Sequence, residues 1–157
     1  MRPFDHERLH VYRAAIDFLG WSHELLTRSR RLHPFLQNQL LRSATSITLN
    51  IAEGAGEHSR RDKARFYRIA RRSATESAAT LDILAVLGHV SPEQIAAPKT
   101  QLPEIAALLT AMARNLESPT PPRQQPPTQA NDSSAIDQRR GPPENRGAPA
   151  SHGPIKT

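Results

Sequence analysis

Along the first thirty or so positions, apolar side chains recur in steps of three and four. Leu9, Tyr12, Ile16, Leu19, His23 and Leu26 form one stripe; Val11, Ala15, Phe18, Trp21/Ser22 and Leu25 form a second. Both fit a single helix over about residues 5–30, because positions three and four apart stack on one helical face. Only Arg13, Asp17, Gly20 and Glu24 are left for a narrow polar arc. The first stripe is assigned to the core of a helical bundle, with His23 as a hydrogen-bonded core residue. The second (Val11, Ala15, Phe18, Leu25) is more apolar surface than one core consumes, so it is expected to face another molecule.

Three more segments repeat the pattern. His33-Pro34 interrupts the chain, because the residue before proline resists helical geometry. A second helix then starts at Pro34 or Phe35 and turns Leu36, Leu40, Ala44, Ile47 and Ile51 inward. The run "NIAEGAG" closes it, with Gly54 and Gly56 as expected stop residues, since a left-handed C-cap costs least at glycine. Ser59 with Asp62 predicts an N-cap for a third helix. It runs to about Leu87, with Phe66, Ala70, Ser73, Ser77, Leu81, Leu84 and Leu87 inward, and Gly88 ends it. Ser91-Pro92-Glu93-Gln94 reads as cap, first-turn proline and capping-box glutamine. Pro98 and Pro103 predict that a short turn precedes the fourth helix, whose stripe is Leu102, Ile105, Leu109, Met112 and Leu116. No alternating, β-branched segment occurs. The predicted class is all-α, an antiparallel up-down four-helix bundle with short loops.

Composition divides the chain. Nine of the 14 prolines fall at positions 119, 121, 122, 126, 127, 142, 143, 149 and 154, in a stretch with two Ile and no aromatic residue. Such a segment cannot offset its own conformational entropy. The expected division is a bundle over residues 1–117 and a disordered, Pro-rich tail over residues 118–157. The absence of cysteine excludes disulfides and thiolate chemistry. No apolar run approaches the ~20 residues of a membrane span, and the start lacks a signal core, so a cytoplasmic protein without a membrane partner is expected.

Few residues suggest catalysis. "HERLH" (His6, Glu7, His10) matches the H-E-x-x-H zinc pattern, but no third ligand is evident and the match lies where helix ends fray. A zinc hydrolase is therefore the remote alternative, and neither metal nor cofactor is expected. Ser43, Ser46, Ser73 and Ser77 lack a His/Asp pair and suit close helix–helix contacts instead. Asn50 and Glu53 are expected to form a buried structural pair, with ligand contact as the alternative.

Charge changes the picture most. Between positions 60 and 72 lie seven basic residues (60, 61, 63, 65, 68, 71 and 72) against Asp62 alone, whereas the whole chain carries +6. On a helical wheel Arg60, Arg61, Arg65, Arg68, Arg71 and Arg72 share about 140° of arc, a stripe roughly 18 Å long at ~1.5 Å per residue. Guanidinium groups suit bidentate phosphate contact, so the stripe is a candidate interface for the backbone of RNA or DNA. Aromatic residues to stack on bases are few, which argues against sequence-specific single-strand reading. A protein-interaction scaffold meeting an acidic partner surface is the alternative.

"LHVYRAAIDF" (9–18), "QLLRSATSITLNIAEGAG" (39–56) and "FYRIARRSATES" (66–77) closely resemble the four-helix-bundle family encoded in 23S rRNA intervening sequences. The most specific element is Ser46-Ile47, Asn50-Ile51-Ala52-Glu53-Gly54. Arg72 stands where members commonly carry glycine. That family also resembles the accessory variability proteins of diversity-generating retroelements. The resemblance implies an antiparallel bundle, a ring-like and pentameric homo-oligomer, a basic surface suited to nucleic acid, and no enzymatic activity. It also implies a reverse transcriptase as a protein partner, and it offers the second stripe of the first helix as a subunit interface.

Overall fold

Four helices follow a single turn of 3₁₀ helix (Asp5–Arg8) in the computed structural model, which describes residues 2–28 and 32–118. They are α1 (His10–Arg28), α2 (Pro34–Gly56), α3 (Arg60–Val86) and α4 (Pro92–Glu117). Each packs against its neighbours in sequence, and α4 returns to close against α1. The expected end of the first helix near residue 30, and the tail from residue 119 on, lie outside the described residues.

The caps read from the sequence form as chemistry dictates. The Ser59 Oγ accepts from the Asp62 N–H at 3.3 Å and starts α3. At α4 the Ser91 Oγ accepts from the Gln94 N–H, while the Gln94 side chain accepts from the Ser91 N–H at 2.7 Å. Both satisfy N–H groups that have no helical partner. Gly88, at φ +70°, ends α3. Its N–H donates to the Ala85 carbonyl and that of His89 to Leu84, the paired bonds of a Schellman cap.

The core is filled from every helix: Phe18, Leu40, Ile47, Ile51, Leu81, Leu84, Leu102, Ile105 and Leu109 are fully buried. Burying each such side chain contributes roughly 1.5–3 kcal/mol. Small polar residues line the α2–α3 contact. Ser46 and Ser73 share a hydrogen bond of 2.9 Å, and the Ser77 Oγ donates to the Ser43 Oγ at 2.8 Å.

Four expectations are corrected. First, the second stripe of α1 is the more deeply buried one, while Leu9, Tyr12, Leu19 and Leu26 of the first are half-buried against the core. Val11, Ala15, Phe18, Ser22 and Leu25 are buried within this chain, whereas Ile16 is 42% exposed and His23 is exposed. Periodicity locates two faces but does not say which one meets α2 and α4. Second, Pro98 and Pro103 sit inside a continuous α4. Each removes one helical N–H, but Ile95, Pro98, Leu102 and Ile105 are buried along that same stretch and hold the helix together. Third, Gly54 and Gly56 are helical and neither takes a positive φ; α2 ends at an extended Glu57. Fourth, Phe66 is only partly buried, and Tyr67 takes the inward place. A Cβ on Gly54 would lie 2.6 Å from Tyr67 Cε1 and 3.1 Å from Phe66 Cβ, so this glycine admits α3 to close range. Burial there pushes the Tyr67 phenol above its ordinary value of 10.0.

Candidate nucleic-acid interface

The basic segment begins at the first residue of α3, fixed by the Ser59 cap, and occupies that helix's outer side. Arg60, Arg61, Arg65, Arg68, Arg71 and Arg72 are all exposed, while Ala64, Tyr67, Ala70, Ser73 and Ala74 are buried between them. One arc of the helix therefore carries six guanidiniums into solvent, as the wheel predicts.

Their partners divide them. Arg60 donates from Nη2 to the Asn115 carbonyl at 2.8 Å and from Nε to the Leu116 carbonyl at 3.1 Å. Arg68 pairs with the Glu117 carboxylate. The Arg65 guanidinium lies over the Phe66 ring, 5.8 Å from its centre. Lys63 caps the other neighbouring helix, its Nζ donating to the Ala55 carbonyl at 3.3 Å. Among the described residues, no carboxylate pairs with Arg61, Arg65, Arg71 or Arg72. Sequence reasoning missed the role of Glu117 and the α4 carbonyls. An antiparallel bundle brings the end of α4 beside the start of α3, and that was the available signal.

Of the remaining candidates, Asn50 and Glu53 both line an open cavity of about 600 Å³ on α2, with Leu41, Arg42 and Leu49, but they do not bond each other. Asn50 donates to the Ser46 carbonyl at 2.8 Å and to its hydroxyl at 3.2 Å, while Glu53 is exposed. The expected buried pair is not made, because the asparagine spends its N–H groups one turn back on its own helix. The H-E-x-x-H match is broken across two elements, with Leu9 extended between the 3₁₀ turn and α1. Glu7 accepts from the Phe4 N–H at 2.6 Å, and His6 stacks on Phe4 and meets Tyr12 edge-on, with centroids at 5.7 and 4.6 Å. Without one continuous helix, the two imidazoles cannot share a face. Among the described residues, no group of three His, Cys, Asp or Glu converges to hold a metal, and no helix is long and apolar enough to cross a membrane.

The sequence profile of the 23S rRNA-intervening sequence proteins matches residues 7–111, which take in α1, α2, α3 and most of α4. The chain belongs to that family. Its fold is similar to the 1.70 Å crystal structure of a protein of unknown function from the S23 ribosomal protein family of Bacteroides thetaiotaomicron VPI-5482. That match has 26% identity and a TM-score of 0.61, and covers 66% of this chain and 98% of the other. No curated protein matches. Family membership agrees with the bundle, and the glycine of the "NIAEG" run has a packing reason in the structure itself. The arginine face has to be argued from its own chemistry.

Proposed function

We propose that this family member is a non-catalytic, oligomeric bundle that binds the backbone of RNA or DNA through the outer face of α3. One observation carries the reading: Arg61, Arg65, Arg71 and Arg72 are exposed, with no ion-pairing carboxylate among the described residues. Solvated helix faces ordinarily mix signs, and four unpaired guanidiniums repel one another unless a polyanion joins them. Backbone contact rather than base reading follows from the shortage of stacking partners, since Phe66 is partly buried and already lies beneath Arg65. The family's association with 23S rRNA intervening sequences supports a nucleic-acid setting.

Self-association belongs to the same reading, with a pentameric ring as the form the resemblance implies. The surface for it moves to the exposed apolar residues Ile16 on α1 and Leu41 and Leu49 on α2, at 42%, 39% and 55% exposure. Ile16→Asp or Leu49→Asp is then expected to shift the particle to smaller species at unchanged helicity. A wild-type monomer at micromolar concentration, seen by light scattering, overturns the assembly.

The binding test is a salt titration on mixed-sequence RNA and DNA, duplex and single-stranded. Each duplex phosphate contact contributes about 0.9 to the slope of log affinity against log salt, so Arg61, Arg65 and Arg72, which share about 40° of arc at ~100° per residue, give about −2.7 per subunit. Arg65→Glu with Arg72→Glu should flatten that slope by about 1.8 and weaken every sequence alike. Equal slopes and affinities for wild type and variant overturn the reading. Binding to an acidic protein surface, or to a reverse transcriptase, that survives competition by nucleic acid favours the scaffold alternative.

A further inference from the structure

Helix α4 ends inside the arginine face. The Arg114 carbonyl accepts from the Ser118 N–H at 3.0 Å, but the carbonyls after it have no helical N–H to accept from, and Arg60 takes them over. Arg60 serves Asn115, Leu116 and, at 3.3 Å, Ser118, while the Ser118 hydroxyl donates to Arg114 at 3.0 Å. This anchor fixes the final turn of α4, and Glu117 projects from that turn to pair with Arg68. Arg68 lies between Arg65 and Arg72 along α3, and with Arg61 these four share about 60° of arc at ~100° per residue. The pair is open to water, with side chains 47% and 49% exposed.

We infer that Glu117 is an internal stand-in for a phosphate. It occupies Arg68 and keeps that arginine from a nucleic-acid backbone that settles on α3. The inference rests on the reading of α3 as a nucleic-acid interface. Carboxylate and phosphate oxygens both accept charge-assisted hydrogen bonds from one guanidinium, so they compete for the same donors. An exposed ion pair contributes little to stability. It still withholds one contact, because occupying Arg68 with a carboxylate removes one phosphate neutralisation and the counterions it would release. The Arg60 anchor holds the end of α4 in place, which keeps the carboxylate on Arg68. Glu117 therefore sets the affinity of the face.

The test compares wild type, Glu117→Gln, Arg68→Gln and the double variant on a mixed-sequence DNA duplex across a salt series. Glu117→Gln should steepen the slope by about 0.9, equivalent to roughly eightfold tighter binding near 0.1 M salt. Arg68→Gln alone should leave the slope nearly as in wild type, since that arginine is already neutralised. In the Glu117→Gln background the same change should abolish the gain. Thermal midpoints check folding, and the Arg68→Gln arm reads the contact independently should Glu117→Gln unfold. Wild-type slope and affinity in Glu117→Gln, with binding still lost in Arg65→Glu/Arg72→Glu, overturn this inference and leave the interface standing. If that charge-reversed variant also binds like wild type, the interface fails and the role of Glu117 with it.

Discussion

Gly54→Ala and Gly56→Ala should move stability in opposite directions, although the two glycines stand two positions apart in one helix. At Gly54 the new methyl would lie 2.6 Å from Tyr67 Cε1, 2.9 Å from Cδ1 and 3.1 Å from Phe66 Cβ. Tyr67 is 4% exposed, so its ring cannot swing out to make room. Overpacking of this kind costs about 1–3 kcal/mol. Alanine's preference for helix returns at most about 1 kcal/mol, and less near a helix end. The net expectation is a loss of about 1–2 kcal/mol, roughly 4–10 °C in midpoint for a domain of this size. At Gly56 nothing lies within 4 Å and φ is not positive, so the same change should be neutral or stabilise by up to about 1 kcal/mol. Urea denaturation of both variants, and of Gly54→Ala in a Tyr67→Ala background, reads the effects. Removing the ring should turn the Gly54→Ala penalty into a small gain. A penalty that persists without the ring refutes the packing argument. A comparable loss at Gly56 would restore the left-handed cap that the sequence suggests.

Two further outcomes follow from the core. Ser77→Ala should cost about 1 kcal/mol, because Ser43 loses the hydroxyl at 2.8 Å but keeps its bond to the Leu40 carbonyl at 3.1 Å; replacing both serines by alanine should cost little more, as a double-mutant cycle in urea will show. The raised Tyr67 pKa means that the folded chain keeps a proton the unfolded chain loses, so stability should hold below pH 10.0 and fall as pH rises through the folded value. Midpoints from about pH 8 to 11 should show that slope in wild type and a flatter profile in Tyr67→Phe; identical profiles refute the assignment.

The architecture was legible because its signals are local. Ser59, Ser91, Gln94 and Gly88 act on backbone groups within a few residues, and the 3.6-residue period needs no knowledge of neighbours. What the sequence hid was relational. Which stripe of α1 turns inward depends on where α2 and α4 lie, and Val11, Ala15, Phe18 and Leu25 gain their burial from those helices. Gly54 looks like a terminator until Tyr67 is placed above it. Pro98 and Pro103 break isolated helices, yet here the buried side chains around them keep α4 whole. In the candidate site the six arginines were legible as a face. Their inequality was not, because Arg60 and Arg68 find partners some fifty residues away in sequence.

That inequality decides how much of the positive charge needs a ligand to explain it. In an up-down bundle the C-terminal ends of α2 and α4 both arrive beside the start of α3. Each end carries partial negative charge and orphaned carbonyls, which favour cations nearby. Lys63 meets this demand at Ala55 of α2, and Arg60 meets it at Asn115 and Leu116 of α4. Arg68 is balanced by Glu117. The fold by itself therefore calls for three of the seven basic residues between positions 60 and 72. It gives no such reason for Arg61, Arg65, Arg71 and Arg72, which are exposed and raise one another's electrostatic energy. A purely structural account would have these four neutralised without loss, and even with a small gain in stability at low salt as their repulsion is relieved. The nucleic-acid reading accepts that gain in stability and adds a loss of binding beside it. Only the four arginines with no carboxylate partner among the described residues separate the two accounts, so substitutions at Arg60, Lys63 or Arg68 cannot stand in for them.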